Sequence, residues 1–114
     1  MNNLSLTAQL DQRVITLWME SLDNLYREAL RPCEIILDTY KVKNSLGVLL
    51  QYRTLRIECK NPALRNALMI GYRYYALKAH RLGFDLCFSV NGEWSIAYNG
   101  AAIAKHQFPS EGAE

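Results

Sequence analysis

At 114 residues the chain is one ordinary domain, long enough to bury a core without metals or disulfides. Half of the residues are apolar and 21% are charged, the balance of a globular protein, and no apolar run approaches the length of a membrane span. The net charge of +2 conceals a segregation, because residues 1–40 sum to −3, residues 41–81 to +8 and residues 82–114 to −3.

The first element spans about residues 10–30. Ile15, Trp18, Leu22, Leu25 and Ala29 recur at spacings of three and four, with Val14 and Tyr26 widening the same face. That pattern predicts one long amphipathic helix, capped by Thr7 or Asp11 and stopped by Pro32. Next, the β-rich run 34–42 and the apolar-rich run 48–60 flank the turn residues Asn44-Ser45-Leu46-Gly47, which predicts an antiparallel hairpin. In its second strand Val48, Leu50 and Tyr52 share one parity while Leu55, Ile57 and Cys59 share the other. A bulge near Arg53 or Thr54 would reconcile them.

Residues 61–83 form the clearest element. Asn61 is a favoured cap, Pro62 suits the first helical position, and Gly83 followed by Phe84 is a left-handed stop. Leu64, Leu68, Gly71, Tyr72, Tyr75, Ala79 and Leu82 share a broad face, Ile70 and Leu77 lie on a second flank, and Arg65, Asn66, Arg73 and His80 form a polar stripe. A meander follows. Phe84, Leu86, Phe88 and Val90 alternate, as do Trp94, Ile96 and Tyr98, with turns at Asn91-Gly92 and Asn99-Gly100. A three-residue loop, Asn91 to Glu93, would pair Val90 with Trp94 and Phe88 with Ile96, keeping both apolar rows on one face.

The expected fold is therefore an α+β two-layer sandwich in the order α-β-β-α-β-β-β. About five antiparallel strands would carry two long helices on one face, in a single domain over residues 4–108 with flexible ends at 1–3 and 109–114.

Enzyme signatures are lacking: there is no G-x-S-x-G, no glycine-rich phosphate loop and no H-E-x-x-H. Glu34 and Asp38 could share a strand face, but an exposed strand commonly carries such pairs, so no catalytic residue is assigned. Cys33, Cys59 and Cys87 are far apart in sequence and odd in number, which argues against a disulfide framework; no metal or cofactor is expected. The N-terminus lacks a basic region followed by an apolar run and a cleavage site, so the expected compartment is the cytoplasm.

What remains is binding. Cations interleaved with rings suit stacking on bases and tracking of phosphates, and Arg53, Arg56, Lys60, Arg65, Arg73, Tyr74, His80 and Arg81 are the candidate nucleic-acid-binding residues. The expected function is that of a small non-catalytic protein associating with a polyanion, nucleic acid or a nucleoprotein assembly. The alternative is a homodimeric interaction or adaptor module using Met69, Ile70 and Leu77.

Overall fold

The computed structural model describes residues 5–98. The chain begins with α1, Leu6–Ser21, four residues ahead of the expected start, because Ser5 rather than Thr7 or Asp11 is the cap and its hydroxyl accepts from the Ala8 N–H at 3.1 Å. The expected continuous helix to residue 30 is broken. Leu22 and Asp23 are extended, and a second helix, α2, covers Asn24–Ala29. One nearby and one distant side chain hold it open: Arg27 donates to the carbonyls of Met19 at 3.0 Å and Leu22 at 2.7 Å, and the Tyr74 hydroxyl accepts the Asp23 N–H at 2.6 Å. The change of phase buries Leu22 and Leu30, yet it turns Leu25 and Ala29, expected inside, out to solvent.

The strands β1 (Glu34–Lys43) and β2 (Leu49–Cys59) pair antiparallel from Glu34↔Glu58 to Lys43↔Leu49 with no register shift. The expected bulge near Arg53 or Thr54 is absent. It is not needed, because the neighbouring strand reaches only Thr54 to Cys59, so the hairpin overhangs the sheet and Val48 and Leu50 stay exposed. The two parities simply serve two faces. Leu55, Ile57 and Cys59 enter the core, while Thr54, Arg56 and Glu58 face away from the helices.

The crossover from β2 is a bent helix rather than a straight one. α3 covers Pro62–Met69, with the Asn61 side chain accepting from the Leu64 N–H at 2.8 Å, and α4 covers Tyr72–His80. At the bend Ile70 and Gly71 bond back three residues, to Ala67 and Leu68, and the Tyr26 ring occupies the corner. The far end follows expectation: Gly83 has φ +88°, and the Phe84 N–H reaches back to the Ala79 carbonyl at 3.0 Å, with Phe84 buried.

The sheet order is β1-β2-β3-β4, where β3 is Asp85–Val90 and β4 is Glu93–Tyr98. Because the α3–α4 crossover returns the chain to the starting end of the sheet, β3 lies parallel to β2, so the sheet is mixed instead of wholly antiparallel. The β3–β4 turn also differs from expectation. Asn91 and Gly92 both have positive φ and form a two-residue loop that pairs Val90 with Glu93. A register shift then supplies the missing residue, since Ser89 faces Trp94 but Phe88 faces Ile96. The proposed Phe88–Ile96 pairing holds; the Val90–Trp94 pairing does not. The expected fifth strand, the Asn99-Gly100 turn and both flexible ends lie outside the described residues.

The result is a two-layer α+β arrangement. Trp18, Leu22, Leu30, Leu68, Tyr75, Ala76 and Ala79 from the helices and their connections meet Leu55, Ile57, Leu86 and Phe88 of the sheet in one core cluster. Trp18 and Tyr75 fill its centre, the indole N–H directed at the Tyr75 carbonyl at 3.4 Å. Burial pushes the Tyr75 hydroxyl up to about 12, and that hydroxyl donates to the Tyr26 carbonyl at 2.9 Å.

Candidate interaction surface

The basic residues of the middle third divide between the two faces of the sheet. Arg56 points away from the helices, where its Nη1 donates to Glu58 Oε1 at 2.8 Å and Ser89 Oγ at 3.0 Å, and its Nε to Asp38 Oδ2 at 3.2 Å. Ser89 in turn donates to Glu58 at 2.6 Å, and the Gly92 N–H donates to the same carboxylate at 3.1 Å. The Ser89 hydroxyl first, then the Gly92 N–H and the Arg56 charge, hold the Glu58 carboxyl below its ordinary range against the opposing effect of burial. Arg56 is thus answered by two carboxylates. Its role in the fold is to tie β1, β2 and β3 together across the outer face.

The remaining candidates lie at other places. Arg53 has the parity of Leu55 and lies 4.4 Å above the Phe84 ring on the helix side. Lys60 is exposed at the end of β2, beside a cleft it shares with Glu34 and Glu58, and Arg65 is half-buried with its guanidinium on the Asn66 side-chain carbonyl at 3.1 Å. Arg73 is exposed and lies along the Tyr72 ring, its Nε donating to the Tyr72 hydroxyl at 3.1 Å. Tyr74 is half-buried and stacked face to face on Tyr26, ring centroids 3.7 Å apart, and Tyr72 is stacked on Tyr98 at 4.3 Å. Both rings are therefore already engaged. His80 and Arg81 are exposed at the end of α4.

Arg73, His80 and Arg81 are exposed on the outward side of α4 and its end, away from the buried Tyr75, Ala76 and Ala79, while Lys78 is half-buried on another flank with its ammonium 5.5 Å over the Tyr74 ring. None of these four has a carboxylate partner among the described residues, and no Asp or Glu occurs between Lys60 and Phe84. The structure does not bring Arg53 or Arg56 onto that helix face.

Among the described residues, the most exposed large apolar side chain stands at the bend between α3 and α4. Ile70 is 87% exposed. It stands between two clefts that share Tyr26 and Gly71. One, of about 460 Å³, is walled by Tyr72, Arg73, Tyr74 and Leu77; the other, of about 360 Å³, by Leu25, Ala29, Ala67, Leu68 and Tyr75. Leu25, 80% exposed, faces Ile70 across the second cleft. Of the expected interface residues, Ile70 and Leu77 therefore lie on this corner, whereas Met69 is half-buried against the core. Sequence periodicity missed Leu25 and Tyr26 because it carried one helical phase through the break at Leu22. A glycine midway along the apolar 61–83 segment was the available signal for a close approach there.

Among the described residues no group of three or more His, Cys, Asp or Glu side chains could hold a metal ion, and no helix is long and apolar enough to cross a membrane. The three cysteines do not converge, because Cys87 sits beside Arg56 on the outer face while Cys59 faces the core. Comparisons with family models, curated proteins and solved structures return no match.

Proposed function

We propose that this chain is a non-catalytic interaction module that self-associates through the α3–α4 corner, Ile70 of one copy seating in a cleft of the other. The observation that carries the reading is an isoleucine 87% exposed directly beside two clefts. A projecting side chain adjacent to a recess is what a two-fold interface requires, since each copy then offers both halves of the contact. Covering Ile70 contributes about 1.5–3 kcal/mol in each copy, so the symmetric pair of contacts contributes roughly 3–6 kcal/mol, or on the order of 10²–10⁴ in Kd. Light scattering across a dilution series tests it. Wild type is expected to run as a dimer that Ile70→Asp converts to a folded monomer; a wild-type monomer at high concentration would overturn the reading.

A second reading, polyanion binding through Arg73, Lys78, His80 and Arg81, is supported by the lack of carboxylate partners for those four side chains among the described residues. With the Tyr72 and Tyr74 rings engaged, such binding would rest on charge alone and fall steeply with salt. Retention on heparin at two salt concentrations, compared between wild type and Arg73→Glu with Arg81→Glu, tests it. Equal elution of the two proteins would remove it. Both readings are of a cytoplasmic protein, with which the odd number of cysteines and their wide spacing agree.

A further inference from the structure

The β1–β2 ladder pairs Glu34 with Glu58 at its open end, one step further in the same register would set Cys33 opposite Cys59, and the two side chains are neighbours. Directly opposed residues of an antiparallel pair have Cα atoms about 4.5–5.5 Å apart, inside the window of about 4.4–6.8 Å that a disulfide spans. Both thiols are free and belong to the same packed region, Cys59 buried within the core and Cys33 half-buried against it. We propose that Cys33 and Cys59 form an oxidisable dithiol, which a small-molecule disulfide such as oxidised glutathione converts to an intramolecular bond closing the base of the hairpin.

The two cysteines have different parts in the exchange. Cys33 is the less buried thiol; burial raises it above the ordinary thiol range, and the neighbouring Cys59 thiol and the Lys60 charge partly offset that rise in favour of its thiolate. Its thiolate attacks one sulfur of the reagent, forming a mixed disulfide and expelling one glutathione thiolate, which takes up a proton. Cys59 then loses its proton and attacks the Cys33 sulfur, expelling the second glutathione. Two protein thiols are thereby oxidised and one reagent disulfide is reduced to two thiols. Burial, with the neighbouring Cys33, pushes the Cys59 thiol up to about 12, so the second step is the slow one and quickens as pH rises. Cys87 takes no part. It is fully buried on the opposite face of the sheet, beside Arg56, with its thiol directed at the Phe88 carbonyl.

The test uses the intact wild-type chain, freed of reductant, incubated with oxidised glutathione, quenched in acid and examined by intact mass and peptide mapping. The expected product is lighter by two hydrogens, contains a Cys33–Cys59 linked peptide, leaves only Cys87 open to alkylation after unfolding, and melts at a higher temperature than the reduced chain. Cys59→Ser is expected to stop at a glutathione adduct on Cys33. Because that variant replaces a core side chain, the wild-type peptide map decides the matter if it does not fold. Three alkylatable cysteines in the treated wild type, a persistent adduct on Cys33, or a linked peptide containing Cys87 would each overturn the proposal.

Discussion

Replacing Arg56 with methionine keeps most of the aliphatic volume of the side chain and removes its charge, which isolates the outer-face network from packing. The Arg56 side chain is 14% exposed and its partner Glu58 20%, so the 2.8 Å ion pair between them is largely withdrawn from water, whereas Asp38 at 38% remains well solvated. Breaking a buried pair from one side costs about 3–5 kcal/mol, while an exposed arm contributes about 0–1 kcal/mol. Glu58 would keep the Ser89 hydroxyl and the Gly92 N–H and is itself partly solvated, which brings the loss below that range, to about 2–3 kcal/mol. For a domain of this size that lowers Tm by roughly 10–20 °C. Urea unfolding at neutral pH measures it. Adding Glu58→Gln to Arg56→Met should recover about 1 kcal/mol, since the stranded carboxylate is what the single variant leaves behind. An Arg56→Met protein within about 0.5 kcal/mol of wild type would refute the reasoning, because that is the range of a surface substitution.

Two further outcomes follow from the same geometry. The Glu58 carboxyl is held below its ordinary range by Ser89, Gly92 and Arg56, so its contribution is fully present above the unfolded value of about 4.3 and is lost as pH falls through the folded value. Wild type should therefore lose urea stability more steeply than Glu58→Gln below about pH 4.5, and parallel curves would refute the assignment. At Gly71, φ is −97°, which any residue adopts, yet an added Cβ would lie 3.2 Å from the Tyr26 ring. Gly71→Ala should then cost up to about 1 kcal/mol, and Gly71→Val about 1–3 kcal/mol; a gain of about 0.4–1 kcal/mol on Gly71→Ala would mean that the corner is not set by that contact.

What was legible in the sequence was whatever a few neighbouring residues decide by themselves. The cap at Asn61, the stop at Gly83 and the Asn91-Gly92 turn depend on local dihedral preferences and hydrogen bonds, and all three occur. The two helix breaks were not legible, because side-chain contacts settle them, one reaching back within the same segment and two coming from distant parts of the chain. Arg27 reaches back to Met19 and Leu22, Tyr74 reaches across to Asp23, and Tyr26 packs on Gly71. The hairpin parity was misread for a related reason. A change of apolar parity within one strand looks like a bulge when the whole strand is assumed to be covered. Here β3 covers only part of β2, and no bulge is required. In β3–β4 the reverse occurred: the extra residue was anticipated in the loop, but the ladder absorbs it beyond Ser89.

The candidate site was harder to see because a run of like charge along the chain becomes a surface only after the fold chooses a side for each residue. Along β2 that choice alternates, sending Arg53 toward Phe84 and the helices and Arg56 out to Asp38 and Glu58, although the two are three residues apart. Along α4 the choice has a helical period, so Arg73 and His80 stay together while Tyr75, Ala76 and Ala79 go inside. The +8 of residues 41–81 is thus not one patch: carboxylates answer Arg56 on the outer face of the sheet, Arg53 lies over Phe84 on the helix side, Lys41 and Lys43 belong to β1, and Arg73, Lys78 and Arg81 belong to α4 and its end. Ile70 and its two clefts stand at the N-terminal end of that cationic helix. Self-association through the corner would therefore bring two α4 N-termini together, each with Arg73 on the wall of the first cleft, and like charges repel less as ionic strength rises. The two readings predict opposite responses to salt, dimerisation strengthening and polyanion binding weakening, so one titration of added salt, read by light scattering and by heparin retention, separates them.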